Sequence, residues 1–285
     1  IHSLNKAASL FRVIVFRSGG IGDILITLPL LDELTRIYQE VYLCVPSKYH
    51  FLIKEISGSI NLFNLDEGED KLLEFGFDSD LISFWDDPNW TKKWEKIGVK
   101  KIISFNPRPT SGPHFAKSMI ERLGQPIERF ELDRNWLSKA PTYLPTELGK
   151  KLWIHPGSGS IQKNLPIERI CQWIDHWLMK DSKNQVQLSF GEADLILRDQ
   201  FLSHYSLRKR RVNLETFESL ETFFSKLSKH TGPFIGNDSG PSHMAAMLGI
   251  KTHVYFKITN PVVWAPLGAS VTLYEDEESV PNSIL

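Results

Sequence analysis

The chain has 285 residues, 41% apolar and 24% charged, with a formal net charge of −1, so it is long enough for two ordinary domains and too apolar to be disordered. The near-neutral balance excludes a global basic field for nucleic acid, and no uninterrupted apolar run reaches membrane-spanning length. Cys44 and Cys171 stand far apart, without metal or redox spacing, as thiols of a reducing compartment do.

The first residues, Ile1 to Lys6, lack a long apolar stretch, so no secretory signal is expected. Phe11-Arg-Val-Ile-Val-Phe16 is a first strand. Arg17-Ser-Gly-Gly-Ile-Gly-Asp23 follows, then a helical spacing of Ile24, Leu28, Leu31, Leu34 and Tyr38, which Pro29 should kink or delay. A dinucleotide fingerprint fails here, because Leu25 stands where Gly or Ala is needed and the next strand, Val41–Val45, ends without an acidic residue. The glycines, Gly20 among them, instead allow close approach of backbone or ligand. Asp23 is left at the carboxyl end of a strand, where it is either a helix-dipole cap or a catalytic carboxylate. The alternation continues with helices at 47–56, 88–97 and 116–123 and strands at 60–65, 80–84 and 101–105. The breaker-rich loop 106–114 carries Arg108 and His114, either solvated or holding an anionic acceptor.

Residues 126–146 are irregular, and the domain boundary is expected within Ser138–Gly149, dividing the chain into 1–143 and 144–285. The second series opens with strand Lys151–His155 and the loop Pro156-Gly-Ser-Gly-Ser-Ile-Gln-Lys163, where hydroxyls, backbone donors and one cation before a helix suit a phosphate. Strand Gln185–Phe190 ends in Gly191-Glu-Ala-Asp194, in which Glu192 or Asp194 can accept from a ribose or cap a helix. Arg208–Arg211 is a short basic run and 218–229 an amphipathic helix. Phe234-Ile-Gly-Asn-Asp-Ser-Gly-Pro-Ser-His243 then gives a strand, a small-residue turn and a helix N-terminus, an anion-binding arrangement to which His243 can add a hydrogen bond. Lys251–Phe256 is the next strand, and the tail 275–285 has little periodicity.

Three pieces together, Arg17–Asp23 with Pro29, His155-Pro-Gly-Ser with Lys163 and Pro166, and Gly236–His243 with Met244-Ala-Ala, resemble glycosyltransferase family 9, the ADP-heptose:lipopolysaccharide heptosyltransferases. The resemblance covers about residues 11–268. It implies an α/β GT-B fold, two Rossmann-like domains facing across a cleft, with an ADP-sugar donor in the C-terminal domain and a lipid-linked saccharide acceptor in the N-terminal one. It implies Asp23 as general base and Ser158, Ser160 and Lys163 on the donor diphosphate. It further implies Asp238, Ser239, Gly240 and His243 as the donor-binding turn and helix, and Glu192 near the ribose, with Asp194 competing. Gly20, Arg108 and His114 are the acceptor-side candidates. No metal and no cofactor are expected, the donor being a substrate. The enzyme is expected in the cytoplasm, with peripheral contact at the inner face of the inner membrane.

Chemistry fits this expectation. Glycosyl transfer needs a base on the attacking hydroxyl and positive potential on the departing diphosphate. The competing classes are a non-catalytic nucleotide-sugar binder, for which Asp23 would have no use, and a nucleotide-sugar epimerase or hydrolase, which would want further titratable residues in the cleft.

Overall fold

A computed structural model of the chain describes residues 11–56, 59–126, 128, 130–137, 150–204, 211–276 and 279. The expected boundary at 138–149, the basic residues 208–210 and most of the tail lie outside the described residues. Arg211, the last of the basic run, is turned inward and donates to the carbonyls of Leu178, Asp181 and Asn184.

Two all-parallel sheets account for the fold. The first has β1 (Arg12–Phe16), β2 (Glu40–Val45), β3 (Ile60–Asn64), β4 (Asp80–Ser83) and β5 (Lys101–Ser104) in the order β3-β2-β1-β4-β5. The second has β6 (Lys151–His155), β7 (Gln185–Phe190), β8 (Val212–Thr216), β9 (Phe234–Asn237), β10 (Thr252–Tyr255) and β11 (Val271–Tyr274) in the order β11-β10-β9-β6-β7-β8. The central strands are continuous apolar runs buried on both faces, as parallel strands between helix layers must be. β1 lies between β2 and β4, and β6 between β7 and β9, so each sheet reverses its winding there. Such a reversal opens a crevice at the carboxyl ends of the strands. The loops leaving β1, β5, β6, β7 and β9 carry the residues the sequence singles out.

The helix expected across 24–38 is two helices, α1 (Ile21–Ile26) and α2 (Leu28–Ile37), with Pro29 in the first turn of the second. Thr27 makes the break, its hydroxyl donating to the Asp23 carbonyl at 2.7 Å. The remaining helices are α3 (His50–Ile56), α4 (Gly68–Leu72), α5 (Pro88–Ile97), α6 (Phe115–Arg122), α7 (Ile167–Lys180), α8 (Leu195–His204), α9 (Leu220–Leu227), α10 (Gly240–Met247) and α11 (Pro261–Trp264). One apolar core runs through both halves, from Val13 and Leu28 to Trp153, Phe234 and Met247. Polar pins join them too. Trp264 Nε1 donates to the Pro109 carbonyl at 2.9 Å and Asn260 Nδ2 to the Thr110 carbonyl at 3.3 Å. The loop 106–114 is thus tied to the segment 260–265 of the other half.

Candidate active site

A cavity of about 850 Å³ opens where the two sheets face each other. Asp23, Arg108, Lys163, Glu192, Asp238 and His243 all reach its wall, from both halves of the chain. Its tightest point is the meeting of α1 and α10. A Cβ on Gly240 would stand 1.6 Å from Ile21 Cγ2, and one on Gly22 would stand 3.5 Å from the His243 ring. Gly240 therefore serves the approach of the two helix N-termini, whereas a Cβ on Gly22 would make only an ordinary contact.

Asp23 sits at the start of α1 and is held from two sides. Its Oδ2 accepts the Gly20 backbone N–H at 2.9 Å, and its Oδ1 accepts from Arg17 Nη2 at 3.2 Å. Gly19, at φ 119°, is required here, since a Cβ would lie 2.6 Å from Asp23 Oδ2. Arg17 is itself buried, 1% exposed, with its guanidinium 4.2 Å from the centre of the Phe84 ring. Burial lowers its pKa to about 10, against the opposing charge of Asp23, so it is a cation at neutral pH. Arg17 stands in the Arg17–Asp23 motif, but the sequence assigns it no individual role.

On the opposite wall Lys163 Nζ is 2.8 Å from Asp238 Oδ2. Thr259 donates its hydroxyl to the same oxygen, and His243 Nε2 lies 3.8 Å from Asp238 Oδ1. Burial alone would raise the Asp238 carboxyl. His243, Lys163 and Thr259 outweigh it and hold Asp238 below the ordinary carboxylate range. The Asp238 N–H is used by the sheet, donating to the Tyr255 carbonyl at 2.9 Å, so Asp238 faces the cavity as a side chain that holds Lys163. Ser239 and Gly240 open α10, where Pro241 carries no N–H and the Ser242 and His243 N–H groups donate to the Ser239 carbonyl at 3.1 and 3.2 Å, so the helix end offers the positive end of its dipole more than a set of open donors. His243 is 3% exposed and its Nδ1 has no hydrogen-bond partner among the described residues.

The loop after β6 is self-braced. Ser158 Oγ donates within the loop, with the Ser160 carbonyl at 2.7 Å and Asn164 Oδ1 at 2.6 Å. Ser158 and Gly159 line the cavity, whereas Ser160 is exposed and does not. Glu192 and Asp194 both line the cavity but differ in their local partners. Asp194 is buried, accepts the Gly191 N–H at 3.0 Å and lies 3.5 Å from His155 Nε2. Glu192 is exposed on the cavity wall, with its carboxylate uncommitted among the described residues.

Of the acceptor-side candidates, Gly20 and Arg108 line the cavity. His114 does not. Its Nδ1 accepts the Ala116 N–H at 3.2 Å as the cap of α6, and its Nε2 lies 2.9 Å from the Ala265 carbonyl. With Nδ1 accepting, Nε2 carries the proton and donates to Ala265. Burial lowers the His114 pKa, in keeping with a neutral ring that joins the two halves. The expected anion ligand is thus a structural pin. Thr259 and the apolar wall of Phe217, Leu220 and Phe223 are cavity residues that the sequence did not single out.

A family model described as glycosyltransferase family 9 (heptosyltransferase) matches residues 120–282. Among solved structures the chain is similar to a glycosyl transferase family 9 protein from Veillonella parvula DSM 2008, at 16% identity over 96% of this chain and 89% of that chain, with a TM-score of 0.70. It is similar to the E. coli heptosyltransferase WaaC with ADP, at 16% identity, 92% of each chain and a TM-score of 0.64. It is also similar to E. coli ADP-heptose lps heptosyltransferase II, at 14% identity, 93% of this chain, 90% of that chain and a TM-score of 0.70. No curated protein sequence matches it. The structural likenesses carry the two-sheet GT-B fold, and the family match extends over more than half of the chain. On these grounds the chain belongs to glycosyltransferase family 9, the heptosyltransferase family, and is a glycosyltransferase.

Proposed function

We propose that the enzyme transfers a heptose or related sugar from an ADP-sugar to a hydroxyl of a lipid-linked, lipopolysaccharide-type saccharide, inverting the anomeric centre by direct displacement. The observation that carries this is the placement of Asp23 across one cavity from Lys163 and the N-terminus of α10. In the proposed step the acceptor oxygen attacks the anomeric carbon, its proton passes to Asp23, and the bond to the diphosphate breaks as ADP leaves. Asp23 has capacity for this, since an ionised carboxylate offers about four acceptor positions and only two contacts are made from Gly20 and Arg17. Lys163 has three donors, so its bond to Asp238 leaves others for a diphosphate. The N-terminus of α10 adds the positive end of its dipole and the Gly240 N–H, Pro241 having none and Ser242 donating to the Ser239 carbonyl. In this reading Ser158 contacts the same diphosphate and Glu192 the ribose, while the apolar wall of Phe217 and Phe223 suits a base.

In this reading Lys163 and the α10 N-terminus supply the charge that a metal supplies elsewhere, and transfer is insensitive to chelators. No helix among the described residues is long and apolar enough to cross a membrane. We place the reaction in the cytoplasm, with the acceptor's lipid at the inner face of the membrane. Thermal shifts with ADP, UDP, GDP and their sugars test the donor, followed by ADP release in the presence of lipopolysaccharide core acceptors. A shift with adenine nucleotides that Lys163→Ala abolishes supports the assignment. A shift with UDP or GDP alone overturns the donor, and no acceptor-dependent release of ADP overturns the transfer.

A further inference from the structure

We infer that His155 and Asp194 are positioning residues that set the Gly191–Glu192 turn against the donor's ribose, at the end of a buried relay that begins at Trp153. The inference rests on the donor site proposed above.

The relay follows from strand register. β6 and β7 are neighbours, with Ile154 opposite Leu188, which brings His155 beside Ser189. Trp153 Nε1 donates to Ser189 Oγ at 2.8 Å. An indole N–H can only donate, so the serine oxygen accepts there, and its hydrogen has two acceptors in reach, His155 Nδ1 at 2.9 Å and the Ile154 carbonyl at 3.5 Å, of which the histidine is the nearer. With the serine donating to Nδ1, the imidazole proton is assigned to Nε2, which faces Asp194 Oδ2 at 3.5 Å, an electrostatic contact and longer than a hydrogen bond. The same carboxylate oxygen accepts the Gly191 N–H at 3.0 Å. Trp153, His155, Ser189 and Asp194 are 2%, 5%, 0% and 8% exposed, so these contacts are largely shielded from water although His155 and Asp194 border the cavity.

Asp194 also touches the other donor loop. A Cβ on Gly157 would stand 2.1 Å from the Asp194 carboxyl group, so the chain leaving β6 lies directly on it. One buried carboxylate therefore couples the turn that presents Glu192 to the loop that presents Ser158. This explains why the sequence holds a histidine ahead of Gly157 and an aspartate two residues beyond Glu192.

Ser189, His155 and Asp194 have the composition and order of a hydrolytic triad but no open nucleophile. A nucleophilic serine needs an open hydroxyl with its histidine oriented by a carboxylate on the far nitrogen. Ser189 is fully buried in β7 and its oxygen accepts the Trp153 indole N–H, so it meets no substrate. The set orients and does not attack.

The test compares ADP with 2′-deoxy- and 3′-deoxy-ADP by calorimetry on the wild type, His155→Ala, His155→Gln, Asp194→Asn and Glu192→Gln. A hydrogen bond to a charged group corresponds to roughly tenfold to a hundredfold in affinity. The wild type is expected to favour ADP over one deoxy analogue by at least about tenfold. That ratio should fall below about threefold in His155→Ala, Asp194→Asn and Glu192→Gln, and recover in part in His155→Gln, which keeps an N–H donor. A merely structural role would lower melting temperature and weaken all three nucleotides equally, and that result overturns the inference. So does a ratio unchanged in His155→Ala and Asp194→Asn, or a wild type that binds all three alike. A wild type that binds no nucleotide overturns the proposed donor site, and this inference with it.

Discussion

Arg17 Nη2 lies 3.2 Å from both Asp23 Oδ1 and the Asp23 backbone carbonyl, so one guanidinium fixes the side chain and the helix turn of the same residue. Its Nε reaches the Thr27 hydroxyl at 3.1 Å, at the break between α1 and α2. The break in the helix and the orientation of Asp23 thus have a common cause. Capping and catalysis are compatible at Asp23, because the oxygen that accepts the Gly20 N–H retains a second lone pair.

Asp23→Asn preserves size and the contact to the Gly20 N–H but removes the proton acceptor. General-base catalysis contributes about 10²- to 10⁴-fold. We expect acceptor-dependent ADP release to drop by about that factor, with nucleotide affinity within about threefold of wild type. A variant that keeps a tenth of the wild-type rate would show that Asp23 is not the base.

Arg17→Lys keeps the charge but loses the planar fork, and a point charge cannot serve Asp23 Oδ1, its carbonyl and Thr27 together. Small displacements of a reacting group cost up to about 10² in rate. The expected outcome is kcat lower by about 10- to 100-fold, with donor KM little changed. Steady-state kinetics decide this: a rise in donor KM at constant kcat would assign Arg17 to donor binding.

Gly240→Ala drives a methyl into Ile21 at the contact of α1 and α10. Overpacking of this kind costs typically about 1–3 kcal/mol. Chemical denaturation should show that loss, together with reduced transfer, since the two walls of the cavity part. The double variant Gly240→Ala with Ile21→Ala should recover part of both. A single variant as stable and active as wild type would mean that the helix ends do not depend on this contact.

Most of the fold was legible because its central strands are short apolar runs between glycine turns. β8 and β11 escaped notice for the opposite reason: they are edge strands, half exposed, with polar residues at alternate places. α4 is five residues with three charges and carries no apolar period. At the site, Asp23, Lys163 and the 236–243 turn were readable because each lies on a strand-to-helix junction whose chemistry is local. His114 was not, since its partner, the Ala265 carbonyl, is 151 residues away. Gly240 looked like a ligand-binding glycine, and only the Ile21 methyl beside it reveals a packing reason as well.

Lys163 and Asp238 make a pair with unequal exposure, 28% and 8% at the side chains. Lys163→Met removes the cation and leaves the carboxylate with Thr259 and His243. Nucleotide affinity should fall by about 10- to 100-fold, the range for a lost charged hydrogen bond. Asp238→Asn should also weaken binding, because Lys163 is then unplaced, and the double variant should lose less than the two singles combined. Additive losses in calorimetry would mean that the pair does not act as a unit.

His253 gives the stability of the fold a defined acid limb. It is fully buried in β10, with Nδ1 2.9 Å from the Tyr274 hydroxyl and Nε2 without a partner among the described residues. Burial first, and then the nearby Lys251 charge, lower its pKa from 6.5 to about 4. The unfolded chain therefore takes up this proton below about pH 6.5, while the folded protein resists it until about pH 4. The contribution is complete above pH 6.5, declines as pH falls through this window, and levels off below it, a total of about 3 kcal/mol. His114 and His230, also lowered by burial, add to the slope in the same direction. Urea denaturation at a series of pH values should show the decline in the wild type and a shallower one in His253→Phe. An identical slope in the variant would mean that His253 is already protonated in the folded protein.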